Sequence, residues 1–278
     1  MNNEILSLEE QAMERWRNGD PWGFVELSAE DITYIEPVLT SPIVGLEKYR
    51  AYMKQIEGKV HYQRSEFIEP KVVEVGDAAV LSYNYRSTGL DEQGKIRFQT
   101  PWNVSVVYFR RAGRWQIVHS HFSYLVHKLP DSVEVPVPVQ MSPQKYDGVL
   151  GEVIKLESAA MDRWRKGDPW GFIELSAPGV TYFDTGTPQR INGREALRAE
   201  YAKREGKISY DVMDFIDPRV QVCGEVAVMT YRFLSTWLNP DASVSHRTPW
   251  NCTEVFARQA GEWKIIHTHW SFIGGERA

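Results

Sequence analysis

Two carboxylates stand in matching aromatic settings, Glu36 after Tyr34-Ile35 and Asp184 after Tyr182-Phe183. An acid drawn out of water at a strand end has its pKa raised toward neutrality, where it serves as general base or acid. Left in solvent, the same groups are ordinary strand-end carboxylates, and both readings stand at this point. The pairs His119/His121 and His267/His269 form a second group. Residues i and i+2 of a strand share a face, so each pair could clamp a zinc ion, but a zinc site needs at least one more protein ligand. No third ligand has a suitable spacing, so no metal is expected and the histidines read as hydrogen-bonded core or interface groups. Asn103 with Ser105, and Asn251 with Thr253, could orient a carbonyl or hydroxyl, or merely satisfy one another. There is no Gly-rich phosphate loop, no Gly-x-Ser-x-Gly elbow and no Ser/His/Asp order, and no cofactor is expected.

These residues come in pairs because the chain is a duplication. WRNGDPWGFVELS, starting at Trp16, returns as WRKGDPWGFIELS, starting at Trp164, and the same offset joins Tyr83 to Tyr231 and TPWN at Thr100 to TPWN at Thr248. A period this long is that of a whole domain rather than a solenoid unit. The expected boundaries are 1–126 for the first copy, 127–150 for a Pro-rich link carrying Pro130, Pro136, Pro138 and Pro143, and 151–278 for the second copy. Such a link favours extended, semi-rigid chain, and its alternating Val133, Val135, Val137 and Val139 could pair as an edge strand.

Within a copy, Ser7-Leu8-Glu9-Glu10 reads as a capping box opening a helix that runs to Gly19. Asp20-Pro21 opens a short second helix ending near Leu27. A strand is expected at 32–36, a helix over 46–56 closed by Gly58, and long strands at 60–69, 78–89, 96–110 and 114–124. Strict alternation on the last strand places Trp115, Ile117, His119 and His121 on one face and Val118, Ser120 and Phe122 on the other. Helices first and long strands afterwards make an α+β fold, two tandem cone-shaped domains each with N-terminal helices packed on a strongly curved antiparallel sheet.

Composition removes whole classes of function. Lys and Arg number 32 against 37 Asp and Glu, a net charge of −5, so the basic stripe of a nucleic-acid binder is missing. No run approaches the 18 apolar residues of a membrane span, and the acidic start is unlike a signal peptide, so the expected location is the cytoplasm. Cys223 and Cys252 are the two cysteines, too few and too far apart for a disulfide framework. Aromatic residues make up 12% of the chain, enough to line pockets or interfaces.

The segment ITYIEPVLTSPIVG, from Ile32 to Gly45, and the ending GRWQIVHSHFS, from Gly113, resemble the nuclear transport factor 2-like superfamily. Its SnoaL-like members and the association domain of calcium/calmodulin-dependent protein kinase II are similar to each copy nearly end to end. The Trp-x-Ile-x-His-x-His-x-Ser ending is the association domain's hallmark, and an acid followed nine residues later by Gly is the ketosteroid isomerase pattern.

Carried onto this chain, the isomerase base falls on Glu36 and Asp184. Its tyrosine donor falls on Ala12 and Ala160, and its oxyanion aspartate on Ser105 and Thr253, so steroid isomerisation is not expected. The association domain's pocket arginines fall on Val106/Glu254 and Phe122/Trp270, so its anion pocket is not expected either. The isomerase comparison implies that Ser120, Phe122, Asn103 and Ser105 face a cavity, as do Thr268, Trp270, Asn251 and Thr253 of the second copy, with Tyr34 and Tyr182 beside the acids. The histidine pairs and Trp102 and Trp250 would take the opposite sheet face, used for dimerisation in this superfamily, giving an intramolecular pseudo-dimer capable of further self-association. The resemblance thus implies a pocket for a small, largely apolar, hydroxyl- or carbonyl-bearing molecule, with acid/base chemistry of isomerase, cyclase or dehydratase type. The alternative is a non-catalytic ligand-binding or oligomerisation module.

Overall fold

Each half of the chain folds on the same plan, which the duplicated sequence requires. The computed structural model describes residues 4–125, 127–128, 146–274 and 276–277. In the first unit, α1 (Glu4–Arg17) and α2 (Trp22–Leu27) precede β1 (Ser28–Ile35), β2 (Ile43–Val44), α3 (Leu46–Ile56), β3 (Arg64–Val75), β4 (Ala78–Leu90), β5 (Ile96–Arg111) and β6 (Arg114–Tyr124). Two-residue strands β7 (His127–Lys128) and β14 (Glu276–Arg277) pair with each other. The second unit repeats the series as α4 (Gly148–Trp164), α5 (Trp170–Leu175), β8 (Ser176–Phe183), β9 (Ile191–Asn192), α6 (Arg194–Ala202), β10 (Val212–Cys223), β11 (Val226–Leu238), β12 (Val244–Gln259) and β13 (Glu262–Phe272). The Pro-rich segment and its alternating valines lie outside the described residues. Among the described residues no helix is long and apolar enough to cross a membrane.

The six strands of the first unit run in the order β2-β1-β6-β5-β4-β3, and those of the second in the corresponding order β9-β8-β13-β12-β11-β10. The sheets are mixed rather than wholly antiparallel, because β1 lies parallel to β6 and β8 parallel to β13. A parallel pair needs a long crossover, which α3 and the three long strands supply. The turn before α3 explains the acid-to-glycine spacing seen in the sequence. Gly45 holds φ at 92° while its N–H donates to the Ile32 carbonyl at 2.8 Å, a conformation that a side chain disfavours. Gly193 repeats it at φ 89°.

The helices cover one face of each sheet. In the first unit Ile5, Met13, Phe24, Tyr49 and Met53 pack on Leu81, Tyr83, Val104, Val106 and Tyr108. Helix α1 begins at or before Glu4, so Ser7 is not its cap, and Glu9 is fully buried instead of closing a capping box. The reason is competition: the hydroxyl of Tyr83 donates to Glu9 Oε1 at 2.6 Å and that of Tyr108 donates to Oε2, drawing the side chain into the core.

Strict alternation fails on β6. Val107 pairs with His119 but the next residue, Tyr108, pairs with Ile117, leaving Val118 as an inserted residue. Trp115 and Ile117 therefore join the helix-side core, as do Ser120 and Phe122 beyond the bulge, while His119 and His121 turn to the other face. Residue Ile266 is the matching insertion in β13.

Candidate functional site

Each unit holds a cavity between its helices and its sheet, about 390 Å³ in the first and about 510 Å³ in the second. Both lie in the size range of small-molecule sites. The first is walled by rings and thioethers, among them Trp16, Phe24, Met53, Tyr85 and Trp102, with Glu36, Lys59, His61, Ser87, Thr100 and Ser120 among its polar groups. The second is walled chiefly by Trp164, Phe172, Tyr201, Trp237, Trp250 and Trp270, with Asp184, Thr185, Lys203, Arg204, Lys207 and Ser235 among its polar groups.

Glu36 is half-buried just beyond the end of β1. Tyr34 donates its hydroxyl to Oε2 at 3.0 Å and Tyr52 donates to Oε1. Burial pushes the carboxyl up to about 7, with the Tyr34 hydroxyl working in the opposite direction. No arginine, lysine or histidine among the described residues lies within ion-pair distance of it. Asp184, at the same place in the second unit, has another environment. The Arg204 guanidinium is 2.6 Å from its Oδ2, Tyr182 donates to the same oxygen at 2.9 Å, and the Gly186 N–H donates to Oδ1 at 2.8 Å. Tyr52 of the first unit is replaced by Glu200, which lies 3.6 Å from Arg204.

Of the residues expected at the site, Tyr34, Glu36, Ser120 and Phe122 line the first cavity, and Tyr182, Asp184 and Trp270 the second. Asn103, Ser105, Asn251, Thr253 and Thr268 do not. Directly opposed residues of an antiparallel pair share a face. Phe122 opposes Val104 and His121 opposes Ser105, so once Phe122 faces the helices Ser105 must face away, and Asn103 with it. Asn103 accepts from Asn84 at 2.7 Å and is closed off from solvent. Asn251 and Thr253 follow the same register and are likewise buried outside the cavity. Trp102 and Trp250, expected on the far face, line the cavities instead. Thr268 is buried and donates to Glu254 Oε2 at 2.8 Å. The ring nitrogen Nδ1 of His119 lies 2.6 Å from the Thr33 hydroxyl, and burial pushes the imidazole down to about 3. His267 repeats the contact with Thr181 at 2.7 Å. Among the described residues no cluster of three His, Cys, Asp or Glu side chains could hold a metal ion.

Two features behind the cavities escaped the sequence reading. Beneath the first lies Glu9 with its two tyrosine hydroxyls. Beneath the second, Phe256 stands where Tyr108 would be, so Glu157 keeps the Tyr231 hydroxyl at 2.7 Å on Oε1 while its Oε2 has no hydrogen-bond partner. Glu254, at the position of Val106, is fully buried nearby and hydrogen-bonds the side chain of Trp270. Burial, and then the Glu157 charge, hold Glu254 well above the usual carboxylate range. The signal was the divergence between copies: Val106 with Phe122 became Glu254 with Trp270, because an indole N–H in a core needs an acceptor that a phenyl ring does not.

Residues 1–125 match the family model of the calcium/calmodulin dependent protein kinase II association domain, and residues 157–274 that of the SnoaL-like domain. The delta subunit of calcium/calmodulin-dependent protein kinase type II from Oryctolagus cuniculus is 29% identical over 123 residues, 43% of this chain and 23% of the kinase, so the chain spans less than a quarter of that relative's length. A crystal structure from Parabacteroides distasonis, provisionally assigned as a ketosteroid isomerase, is 36% identical over 48% of this chain and 93% of its own, with a TM-score of 0.40. The association domain of the kinase from C. elegans is 27% identical over 43% of this chain and 92% of its own, with a TM-score of 0.38. The chain thus carries two tandem α+β domains, the first matching the model of the kinase association domain and the second that of the SnoaL-like domain.

Proposed function

We propose that the first unit binds a small, largely apolar molecule bearing a hydroxyl or carbonyl group and exchanges a proton with it through Glu36. The supporting observation is the setting of that side chain: it opens into an aromatic cavity, has no cation beside it, and is pushed up to about 7 by burial. Near neutral pH such a group is divided between its two protonation states, the condition under which a carboxyl both takes and gives protons efficiently. The second unit binds a similar molecule without proton transfer, because both oxygens of Asp184 are already engaged, one by Arg204 and the other by the Gly186 N–H.

A ketone with exchangeable α-protons tests this reading. In deuterium oxide, 2-tetralone is expected to exchange its α-protons faster with the protein than without it, and Glu36→Gln is expected to abolish the acceleration while Asp184→Asn leaves it intact. Binding of 2-tetralone without exchange would leave a ligand-binding module; no binding at all would end the proposal.

The match of residues 1–125 to an association domain supports a second reading, in which the chain assembles with copies of itself. Light scattering then gives a particle heavier than the 32.1 kDa chain. A single-chain mass at all concentrations rules that reading out.

A further inference from the structure

The two cavities differ most beside their carboxylates. In the second unit the guanidinium of Arg204 lies against Asp184, its central carbon 5.8 Å from the middle of the Tyr201 ring. In the first unit the equivalent of Arg204 is Ile56, which packs into the core. Glu36 therefore lacks the cation that its counterpart has. Its two oxygens accept one hydroxyl each, and each has a further lone pair to offer. The rings around it are close-set: Tyr34 lies 5.0 Å from Tyr49, 6.1 Å from Tyr52 and 6.0 Å from Phe122, centre to centre. Such ring faces attract a positive charge, the more so when water is excluded.

We propose that the first unit's cavity takes a small organic cation, a primary ammonium or guanidinium on an apolar or aromatic body, whose head occupies beside Glu36 the place that Arg204 fills beside Asp184. This rests on the reading of the cavity as a ligand site and goes beyond it in assigning the ligand a positive charge. The second unit rejects the same cation because the chain supplies its own.

The pH dependence has a definite sign. A bound cation favours the ionised carboxyl, so binding expels the proton that burial keeps on Glu36, and affinity rises as pH climbs from about 5.5 to 8. The groups facing Glu36 are Tyr34 from β1 and Tyr49 and Tyr52 from α3; burial holds Tyr34 and Tyr49 well above this range. Lys59 and His61 line the same cavity but are exposed to solvent.

Titration calorimetry of the full chain at pH 7.5 decides the matter, with phenethylamine as the cation, 2-phenylethanol as its neutral analogue and 3-phenylpropionate as the anion. Phenethylamine is expected to bind once per chain and at least about tenfold more tightly than 2-phenylethanol. Glu36→Gln and Ile56→Arg should each erase that preference, Ile56→Leu should keep it, and Arg204→Ile should open a second site. If Arg204→Ile does not fold, Ile56→Arg alone decides. Binding of 2-phenylethanol with no gain for phenethylamine overturns the cation and leaves the ligand site standing. Failure of all three probes overturns both.

Discussion

Arg204 reaches Asp184 at 2.6 Å in the second unit, and the equivalent of that arginine in the first unit is Ile56. One exchange between copies leaves Glu36 as a lone carboxyl among rings and makes Asp184 half of an ion pair. Duplication thus placed two electrostatic environments on one backbone plan.

The first prediction concerns pH. The folded-state pKa of Glu36 is raised, from 4.5 to about 7, so the folded chain holds a proton that the unfolded chain has released between those values. The associated stability is present below about pH 4.5 and is lost as pH rises to about 7. The loss is at most about 3 kcal/mol, and less for a side chain that is only half-buried. Glu36→Gln should therefore lose less stability than the parent chain between pH 5 and pH 8. Urea midpoints at both pH values check this; equal losses in the two proteins would contradict the assignment.

The second prediction uses the two buried glutamates of the N-terminal helices. Tyr108→Phe removes one of the two hydroxyls on Glu9 and should cost about 1–3 kcal/mol. Phe256→Tyr, the reverse change in the second unit, offers a hydroxyl to the unpartnered Oε2 of Glu157 and should stabilise the chain. Chemical denaturation of both variants checks the opposite signs.

The third prediction is a coupling. Glu254→Val strands the Thr268 hydroxyl and the Trp270 indole, both of which Glu254 accepts from. Adding Trp270→Phe restores the pairing found at Val106 and Phe122. The double variant should be more stable than the sum of the single changes by about 1–3 kcal/mol, measured as a double-mutant cycle. Strict additivity would show that the two positions act independently.

The sequence carried the architecture well because the signals were redundant. Two copies gave every strand twice, and the helix expected over 46–56 is α3, Leu46–Ile56. Periodicity did not carry the inward face of β5. Its orientation depends on the inserted Val118 and on the register opposite Phe122, and neither leaves a mark in a pattern of apolar residues. The expected strand at 60–69 proved to be β3, Arg64–Val75, because chain pairing with β4 rather than local propensity sets its ends. Arg204 was hidden for a different reason. It follows α6 in a run that also holds Lys203 and Lys207, and such basic residues ordinarily read as solvated surface.

The insertion at Val118 has a consequence for how such a module could change its chemistry. With Ser120 and Phe122 inward and His119 and His121 outward, the two sets are one position out of step. Taking Val118 into the ladder as an ordinary paired residue, a slip of one position, would turn the strand's end over. A hollow floored by a hydroxyl and a phenyl ring would then be floored by two imidazoles, and the second unit, built with the same insertion at Ile266, keeps the identical option in reserve.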